Sequence, residues 1–279
     1  MPRHDAGSVP TPFVATLIAL TLIVSLFATG CGAPAEEAVE TAPAPSPQPA
    51  PAPVALDRAV LEDPSRPEDE RDEDSDRRPL DVYEFFGVLP GQTVADVYNS
   101  DGYNTHLLSR LVGDSGQVHS VFEFYSDKEI FEGVLYKVDA VTQRVDDAGL
   151  DNVELALRLS DVPSDSVDVA IAIRNYHDIE WVFPDLKRVD QVAEFYRIVK
   201  PGGIVGIVDV ATDAEGWDDA AHRLNKQVVI DDFTAGGFDL VGESDVLANP
   251  ADDHVQDGFP DRHKTDRYTL KFRKPGSSS

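Results

Sequence analysis

Val167-Asp168-Val169-Ala170-Ile171-Ala172-Ile173 is almost continuously apolar, and the polar run Arg174-Asn175-Tyr176-His177-Asp178 follows it at once. A short apolar run rich in β-branched residues predicts a strand that is buried on both faces. Strands of this kind belong to parallel sheets with helices on both sides. The polar run then lies at the carboxyl end of the strand, where open α/β sheets bind their ligands.

Apolar runs and amphipathic segments alternate on either side of this strand. Six further strands are predicted, at 93–97, 117–124, 152–155, 204–209, 238–243 and 267–273. Helices are predicted at 102–111, 139–147, 185–199 and 225–235. The alternation predicts an α/β, doubly wound and mostly parallel sheet. The last two strands follow each other without a helix between them, so a long loop, 244–266, joins them.

The beginning of the chain has the pattern of an export signal. An uncharged apolar run at 13–27 follows Arg3 and precedes the small residues of 28–30 and then Cys31. Fifteen residues are too few to cross a bilayer comfortably, which favours a secretory signal. The ending resembles the signal-peptidase box of bacterial lipoproteins, and this resemblance implies a signal peptide at 1–30 and a lipid on Cys31. An uncleaved anchor, or a plain signal with an incidental buried cysteine, are the alternatives.

The segment after the cysteine changes composition abruptly. Ten of the 20 prolines lie in residues 32–80, together with thirteen acidic residues. Such a segment buries little apolar surface, so we expect a disordered, partly polyproline tether at 31–80. A short helix over 54–61 is the one element expected there. The folded domain is predicted at 81–275, with a disordered tail at 276–279.

Charge and cysteine content exclude several classes of function. Lys and Arg number 24 against 51 Asp and Glu, which gives a formal net charge of −27 and a pI of about 4.4. A surface this acidic repels phosphate backbones, so we expect no nucleic-acid partner and no membrane contact beyond the lipid anchor. A single cysteine excludes internal disulfides and multi-cysteine metal sites. The oligomeric state is not predicted.

Several motifs together resemble the class I S-adenosylmethionine-dependent methyltransferases, in a bacterial branch of predicted and often exported proteins. They are Val94-Ala95-Asp96, Asp168-Val169-Ala170, Lys200-Pro201-Gly202-Gly203, the Arg174–Asp178 run and the ending Thr265-Asp266-Arg267-Tyr268-Thr269-Leu270-Lys271-Phe272-Arg273-Lys274-Pro275. The resemblance implies a seven-stranded sheet, parallel except for its last-numbered strand. It also implies S-adenosylmethionine as cofactor and a small-molecule or envelope component as methyl acceptor.

The resemblance also assigns cofactor-binding positions. They are Asp96, Tyr98, Ser100, Gly102, Glu123 and Arg174. In the family the first loop reads acid-x-Gly-x-Gly-x-Gly, whereas here only Gly102 remains and Tyr98 and Ser100 replace the other glycines. In the family, an acid at the end of the second strand binds the ribose hydroxyls. The corresponding position here is Phe122, and Glu123 lies one position later. Arg174 faces either the cofactor carboxylate or an internal partner such as Asp96.

The Arg174–Asp178 run supplies the candidate catalytic residues. His177 is the candidate base, because an imidazole titrates near neutral pH, and Asp178 is expected to orient it. Asn175 and Tyr176 are candidates for positioning the acceptor. The alternative for all three is a structural role, in which they close the end of the strand. His177, His222 and His254 have no local metal-motif spacing, so no metal site is predicted.

Two functions stay open. One is a membrane-tethered methyltransferase, and the other is an inactive methyltransferase fold that serves as a binding or scaffold module of the cell envelope. The methyltransferase is the predicted function and the scaffold module is its alternative. The lost glycines and the export signal count against catalysis, because S-adenosylmethionine is made in the cytoplasm. A nicotinamide-binding turn would need Gly-x-Gly-x-x-Gly, which is absent here.

Overall fold

Val167–Ile173 forms the central strand of the sheet, with the bounds predicted from its apolar run. The computed structural model describes residues 55–123, 134–256 and 264–276, with the backbone alone at 134–137. The strands are β1 (Thr93–Val97), β2 (Gln117–Val121), β3 (Val153–Ala156), β4 (Val167–Ile173), β5 (Val199–Val210), β6 (Trp217–Asp218), β7 (Arg223–Leu224), β8 (Asp239–Ser244) and β9 (Arg267–Arg273). The helices are α1 (Glu68–Arg77), α2 (Pro79–Phe86), α3 (Tyr103–Val112), α4 (Val134–Ala148), α5 (Arg188–Ile198) and α6 (Lys226–Ala235).

Seven strands form one sheet in the order β3-β2-β1-β4-β5-β9-β8. The pairs among β1 to β5 are parallel, whereas β9 is antiparallel to both β5 and β8. This confirms the predicted doubly wound fold, including the single antiparallel strand at the end of the chain. The strand order reverses direction between β1 and β4, and ligands of such sheets bind at this point. β6 and β7 form a separate two-stranded hairpin.

The sheet is buried on both faces. Ala170 and Ala172 of β4 belong to one apolar cluster, and Val169 and Ile171 belong to the other. A fully buried Val or Ile contributes about 1.5–3 kcal/mol, so the central strands supply much of the stability. Close packing reaches the backbone at Gly206 of β5, where a Cβ atom would lie 2.5 Å from the ring of Phe86. Only glycine therefore fits between β5 and α2.

The predicted disordered tether at 31–80 is wrong for its second half, 55–80. A short 3-10 helix spans Arg58–Glu62, near the predicted short helix, and α1 and the start of α2 follow it. No residue of α1 is buried. Ion pairs hold this helix instead: Arg144 donates to both oxygens of Glu70 at 2.6 and 2.7 Å, and Arg66 donates to both oxygens of Asp74. Leu56 packs in the core ahead of α1, but α1 itself is held by charge pairs, which a search for apolar surface does not detect.

All described residues belong to one compact unit, Pro51–Ser279. None of the helices described is both long and apolar enough to cross a membrane. Several predicted segments lie outside the described residues. They are the signal peptide, Cys31, the first part of the tether, residue 124 at the end of the second predicted strand, and most of the tail.

Candidate functional site

The loop between β1 and α3 lies at the carboxyl edge of the sheet, beside the reversal of strand order. Gly102 has a φ of 82°, and Tyr98 has a φ of 63°, both in the left-handed region that favours glycine. Asn99 braces the loop, since its Oδ1 accepts the Gly102 N–H at 2.8 Å and its Nδ2 donates to Ser120 at 2.7 Å. The loop thus keeps a glycine-like backbone at Tyr98, where a family glycine is replaced.

Tyr98 lies inside the protein. Its side chain is fully buried, its ring meets Phe195 edge-on at 6.1 Å, and its hydroxyl donates to Oε1 of Gln191 on α5 at 3.0 Å. Burial raises the pKa of the Tyr98 phenol well above its usual value, and the charge of Glu123 adds to the shift. The phenol therefore stays neutral and remains a donor.

Glu123 also points inward. Its φ of 35° departs from the geometry of β2, which ends two residues earlier, and the residue is only 7% exposed. One carboxylate oxygen accepts the Leu159 N–H at 2.6 Å, and the other accepts the side-chain N–H of Gln191 at 3.1 Å. Gln191 thus links Tyr98 to Glu123, while Phe122 is buried beside them.

Asp96 is the penultimate residue of β1 and is fully buried. Thr105 donates to its carboxylate at 2.7 Å. Burial raises the pKa of Asp96 to about 7, and the hydrogen bonds from Thr105 and Asn104 only partly oppose this effect. A carboxyl that is partly protonated near neutral pH is poorly suited as a fixed negative charge for a cationic ligand.

These positions do not fit S-adenosylmethionine in the conformation described. The acid that the resemblance assigns to the ribose, Glu123, already accepts two internal hydrogen bonds. Tyr98 fills the interior where the family has a glycine. Of the six positions, Arg174 lines a cavity between α2, α3 and the ends of β4 and β5, and this cavity has space of about 20 Å³, enough for about one water molecule. Ser100 is half-buried in the same loop.

His177 occupies the first turn after β4. Its ring Nδ1 lies 2.6 Å from Oδ1 of Asp209, the penultimate residue of β5, and its backbone N–H donates to Oδ2 of the same carboxylate at 2.9 Å. Burial lowers the pKa of His177, but the charge and hydrogen bond of Asp209 outweigh burial, so the imidazole pKa lies above its usual value. Asp178 is the residue predicted to orient His177, whereas in the structure the shorter contact to the ring comes from Asp209 at Nδ1, and Asp178 lies on the Nε2 side.

Asp178 faces the other side of the imidazole. Its Oδ1 lies 3.3 Å from His177 Nε2 and 3.2 Å from His222 Nε2. His222 reaches this point from the β6–β7 hairpin with a φ of 51°. Trp217 of the same hairpin stacks on the His177 ring at 6.1 Å and on Trp181 at 4.9 Å. Two histidines and one carboxylate thus lie together beside the stacked rings of Trp217 and Trp181.

Asn175 and Tyr176 have internal partners. Asn175 Nδ2 donates to the carbonyls of Tyr98 and Ile173 at 3.0 and 3.2 Å. The Tyr176 hydroxyl donates to Asp232 at 2.9 Å, and its ring is fully buried. These bonds favour the structural alternative for both residues. The backbone N–H of Arg174, a residue with a φ of 60°, donates to the Val208 carbonyl at 2.7 Å and so joins β4 to β5.

Sequence reasoning missed the partners that come from distant elements. The sequence assigns no role to Asp209 or Gln191, and no local spacing connects His222 with His177. Only the order of β4 and β5 points to Asp209, because the carboxyl ends of adjacent parallel strands meet at one edge of the sheet.

The known proteins that are similar to this chain are mostly methyltransferases. No family model matches the chain. The curated ubiquinone/menaquinone biosynthesis C-methyltransferase UbiE of Marinomonas sp. (strain MWYL1) is 26% identical over 191 residues, which are 66% of this chain. The chain spans 65% of the length of that relative.

Solved structures with a similar fold include a SAM-dependent methyltransferase from Aquifex aeolicus, with a TM-score of 0.54, 19% identity, and coverage of 78% of this chain and 99% of that one. The [4+2]-cyclase SpnF also has a TM-score of 0.54 at 19% identity, over 73% of this chain and 82% of its own. The geranyl diphosphate C-methyltransferase of Streptomyces coelicolor A3(2) has a TM-score of 0.51 at 13% identity, over 78% and 88%. The chain has the Rossmann-like fold of the S-adenosylmethionine-dependent methyltransferases.

Proposed function

We propose that the protein is a lipid-anchored, S-adenosylmethionine-dependent methyltransferase of the bacterial cell envelope, acting on a small molecule or an envelope component. The observation that carries the proposal is the sheet order, with the loop 98–102 leading into α3 beside the reversal between β1 and β4. The similarity to a curated C-methyltransferase supports it independently. When bound, the cofactor supplies the methyl group.

The proposal requires the closed loop to open. Tyr98 has to leave the interior, and Gln191 and Glu123 then become available for hydrogen bonds to a ligand. The strained backbone at Tyr98, with a φ of 63°, lowers the cost of such a change, because a non-glycine residue in this region is held there by its surroundings.

On the acceptor side, the chain's own candidate is His177. Asp209 fixes its Nδ1, so Nε2 is the nitrogen that takes a proton from an acceptor hydroxyl or amine. The side chain is 7% exposed, which limits this role to acceptors that enter the crevice. Unchanged turnover in His177→Ala, once an acceptor is known, would remove this role.

A second candidate function is favoured by the same closed loop. Tyr98 is held by its packing and by a hydrogen bond to Gln191, and this arrangement completes the interior without a cofactor. The fold also occurs in a protein named as a [4+2]-cyclase, so the fold alone does not fix the chemistry. The alternative is a binding or scaffold protein of the envelope that does not transfer methyl groups.

Calorimetric titration with S-adenosylmethionine and S-adenosylhomocysteine separates the two candidates. The chain is compared with Tyr98→Gly, which restores the family glycine, and with Tyr176→Phe, a buried tyrosine of the same edge that is outside the loop. The methyltransferase proposal predicts micromolar binding to the chain and at least tenfold tighter binding to Tyr98→Gly, with Tyr176→Phe unchanged. No binding to any of the three folded proteins up to millimolar concentration contradicts it and supports the second candidate.

The lipid anchor is tested separately. Cys31→Ser, expressed in a bacterium and labelled with a fatty-acid probe, is expected to lose the label and to leave the membrane fraction. A serine has no thiol for lipid attachment, whereas the rest of the export signal is unchanged. Membrane attachment that persists in Cys31→Ser would instead support an uncleaved anchor.

A further inference from the structure

Two histidines and one aspartate converge at the carboxyl edge of the sheet, outside the loop discussed for the cofactor. We propose that His177, Asp178 and His222 bind a divalent transition-metal ion, with Asp209 as the residue that positions His177. One ligand atom from each of the three residues lies within 4.8 Å of the others, a grouping found among the described residues. The sequence analysis predicted no metal site because the fold, and not local spacing, brings His222 to His177.

The distances suit a small ion. The Asp178 oxygen lies 3.3 Å from His177 Nε2 and 3.2 Å from His222 Nε2. Ligand atoms bound tetrahedrally at about 2.0–2.1 Å from zinc lie about 3.3 Å from each other. The two distances from Asp178 to the histidine nitrogens therefore match the distances between ligand atoms bound to one zinc ion.

Asp209 fixes the tautomer of His177. The Asp209 carboxylate accepts the backbone N–H groups of His177 and Val210, at 2.9 Å each, so it acts as an acceptor. Its contact with His177 Nδ1 at 2.6 Å then places the ring hydrogen on Nδ1 and leaves the Nε2 lone pair toward Asp178. A carboxylate behind a histidine is the arrangement that orients metal-binding imidazoles and raises their basicity.

The donor set determines the kind of ion. Two imidazoles and one carboxylate suit Zn²⁺, Fe²⁺ or Co²⁺, whereas Mg²⁺ and Ca²⁺ prefer oxygen ligands. Three protein ligands leave at least one position open for water or for an oxygen of a substrate. The stacked rings of Trp217 and Trp181 cover one side of the cluster, which limits water access to the ion.

The inference does not depend on the proposed methyl transfer. Nε2 of His177 either binds the ion or takes a proton from an acceptor, so metal binding would replace the base role of this nitrogen. Metal binding is measured in the absence of S-adenosylmethionine. A failure to bind metal and a failure to bind the cofactor are therefore separate results.

The chain offers a matched control at His254. This histidine also contacts two carboxylates, with Nδ1 3.3 Å from Asp213 and Nε2 3.1 Å from Asp266. The two aspartates lie on opposite ring nitrogens, so they do not face a common ion. His254→Ala thus removes a histidine with similar contacts and exposure, and it leaves the proposed site intact.

The test is titration of the metal-free full chain with Zn²⁺ by calorimetry and with Co²⁺ by visible absorption. Excess Mg²⁺ is present throughout, because the net charge of −27 otherwise binds cations over the whole surface. We expect one Zn²⁺ per chain and the intense visible bands of four-coordinate Co²⁺. His222→Ala and Asp178→Asn should weaken Zn²⁺ binding at least 100-fold, Asp209→Asn by 10- to 100-fold, and His254→Ala by less than twofold.

Thermal unfolding with and without Zn²⁺ shows whether each variant is folded, so that lost metal binding is not mistaken for lost folding. A folded His222→Ala protein should unfold at the same temperature with and without Zn²⁺, whereas the parent chain and His254→Ala should unfold at a higher temperature when Zn²⁺ is present. The inference is overturned if the parent chain binds no Zn²⁺ in excess Mg²⁺. It is equally overturned if His222→Ala and Asp178→Asn, both folded, bind Zn²⁺ as tightly as the parent chain.

Discussion

Oδ1 of Asp209 lies 2.6 Å from Nδ1 of His177, and neither side chain is more than 7% exposed. The contact joins the carboxyl ends of β4 and β5, and the same carboxylate also accepts the backbone N–H of His177. One buried acid thus fixes both the turn after β4 and the orientation of the ring in it. Any chemistry at His177 depends on Asp209.

Substitution Asp209→Ala is expected to destabilise the metal-free protein by about 3–5 kcal/mol. It leaves the His177 ring and two backbone N–H groups without their acceptor in a buried site, and breaking a buried pair by removing one partner costs this much. Urea unfolding in the presence of a chelator measures the change. Asp178→Ala, at a partly exposed position on the other side of the ring, should cost no more than about 1 kcal/mol. Equal costs for the two variants would contradict the role given to Asp209.

Substitution Tyr98→Gly is expected to lower the free energy of unfolding by about 2–4 kcal/mol. Removal of a fully buried aromatic side chain costs about 3–5 kcal/mol, and glycine at a φ of 63° returns about 1 kcal/mol of backbone strain. Tyr98→Phe keeps the ring and should cost only about 1 kcal/mol through the lost bond to Gln191. Denaturant unfolding of the two variants checks this order. A Tyr98→Gly protein as stable as the parent chain would show that the ring does not fill the interior.

The strands of the sheet were predictable because they are apolar. The bounds of β4 and β9 were predicted without error, whereas the single antiparallel strand was expected only from the resemblance to the methyltransferase family. The helix α1 was missed for the opposite reason. Its sequence is almost entirely charged, and it is ordered by Arg144 and Arg66, which lie outside it in the sequence. Charge pairs between distant residues leave no local pattern.

The site was predictable only in its location. The Arg174–Asp178 run was placed correctly at the end of β4, yet its side chains divide between interior and crevice. Tyr176 turns toward α6, whereas His177 turns toward β5. Left-handed backbone at Arg174, with a φ of 60°, sets this division, and a single sequence does not reveal such a conformation at a non-glycine residue.

Substitution Asp74→Ala is expected to detach the segment 55–77 and to cost about 3–5 kcal/mol. Asp74 accepts two hydrogen bonds from Arg66, whose residue is only 2% exposed, and it also accepts one from the Tyr103 hydroxyl. Its loss leaves a buried guanidinium without its carboxylate. Limited proteolysis should then cut within the segment, and urea unfolding gives the energy. Asp72→Ala, in the same helix, is the control and should leave the proteolysis pattern unchanged.

The contribution of Asp96 to the stability of the protein is expected to fall as pH rises from about 4 to about 7. Burial raises its pKa to about 7 in the folded state, against 3.8 without burial. The folded protein therefore holds this proton more tightly than the unfolded chain does. The stabilisation is complete below pH 4 and is lost as pH passes 7, by up to about 4 kcal/mol at 1.4 kcal/mol per pH unit.

Asp96→Asn isolates this contribution, because the amide keeps an oxygen for the Thr105 hydroxyl and has no proton to lose. Urea unfolding at pH 5 and at pH 8 gives the difference for each protein. The parent chain should lose more stability than Asp96→Asn between these values, and Asp114→Asn, in the exposed turn after α3, should behave like the parent chain. Parallel pH profiles for the parent chain and Asp96→Asn would mean that Asp96 is ionised in the folded protein throughout this range, and a fixed negative charge at the end of β1 would then be available to a cationic ligand.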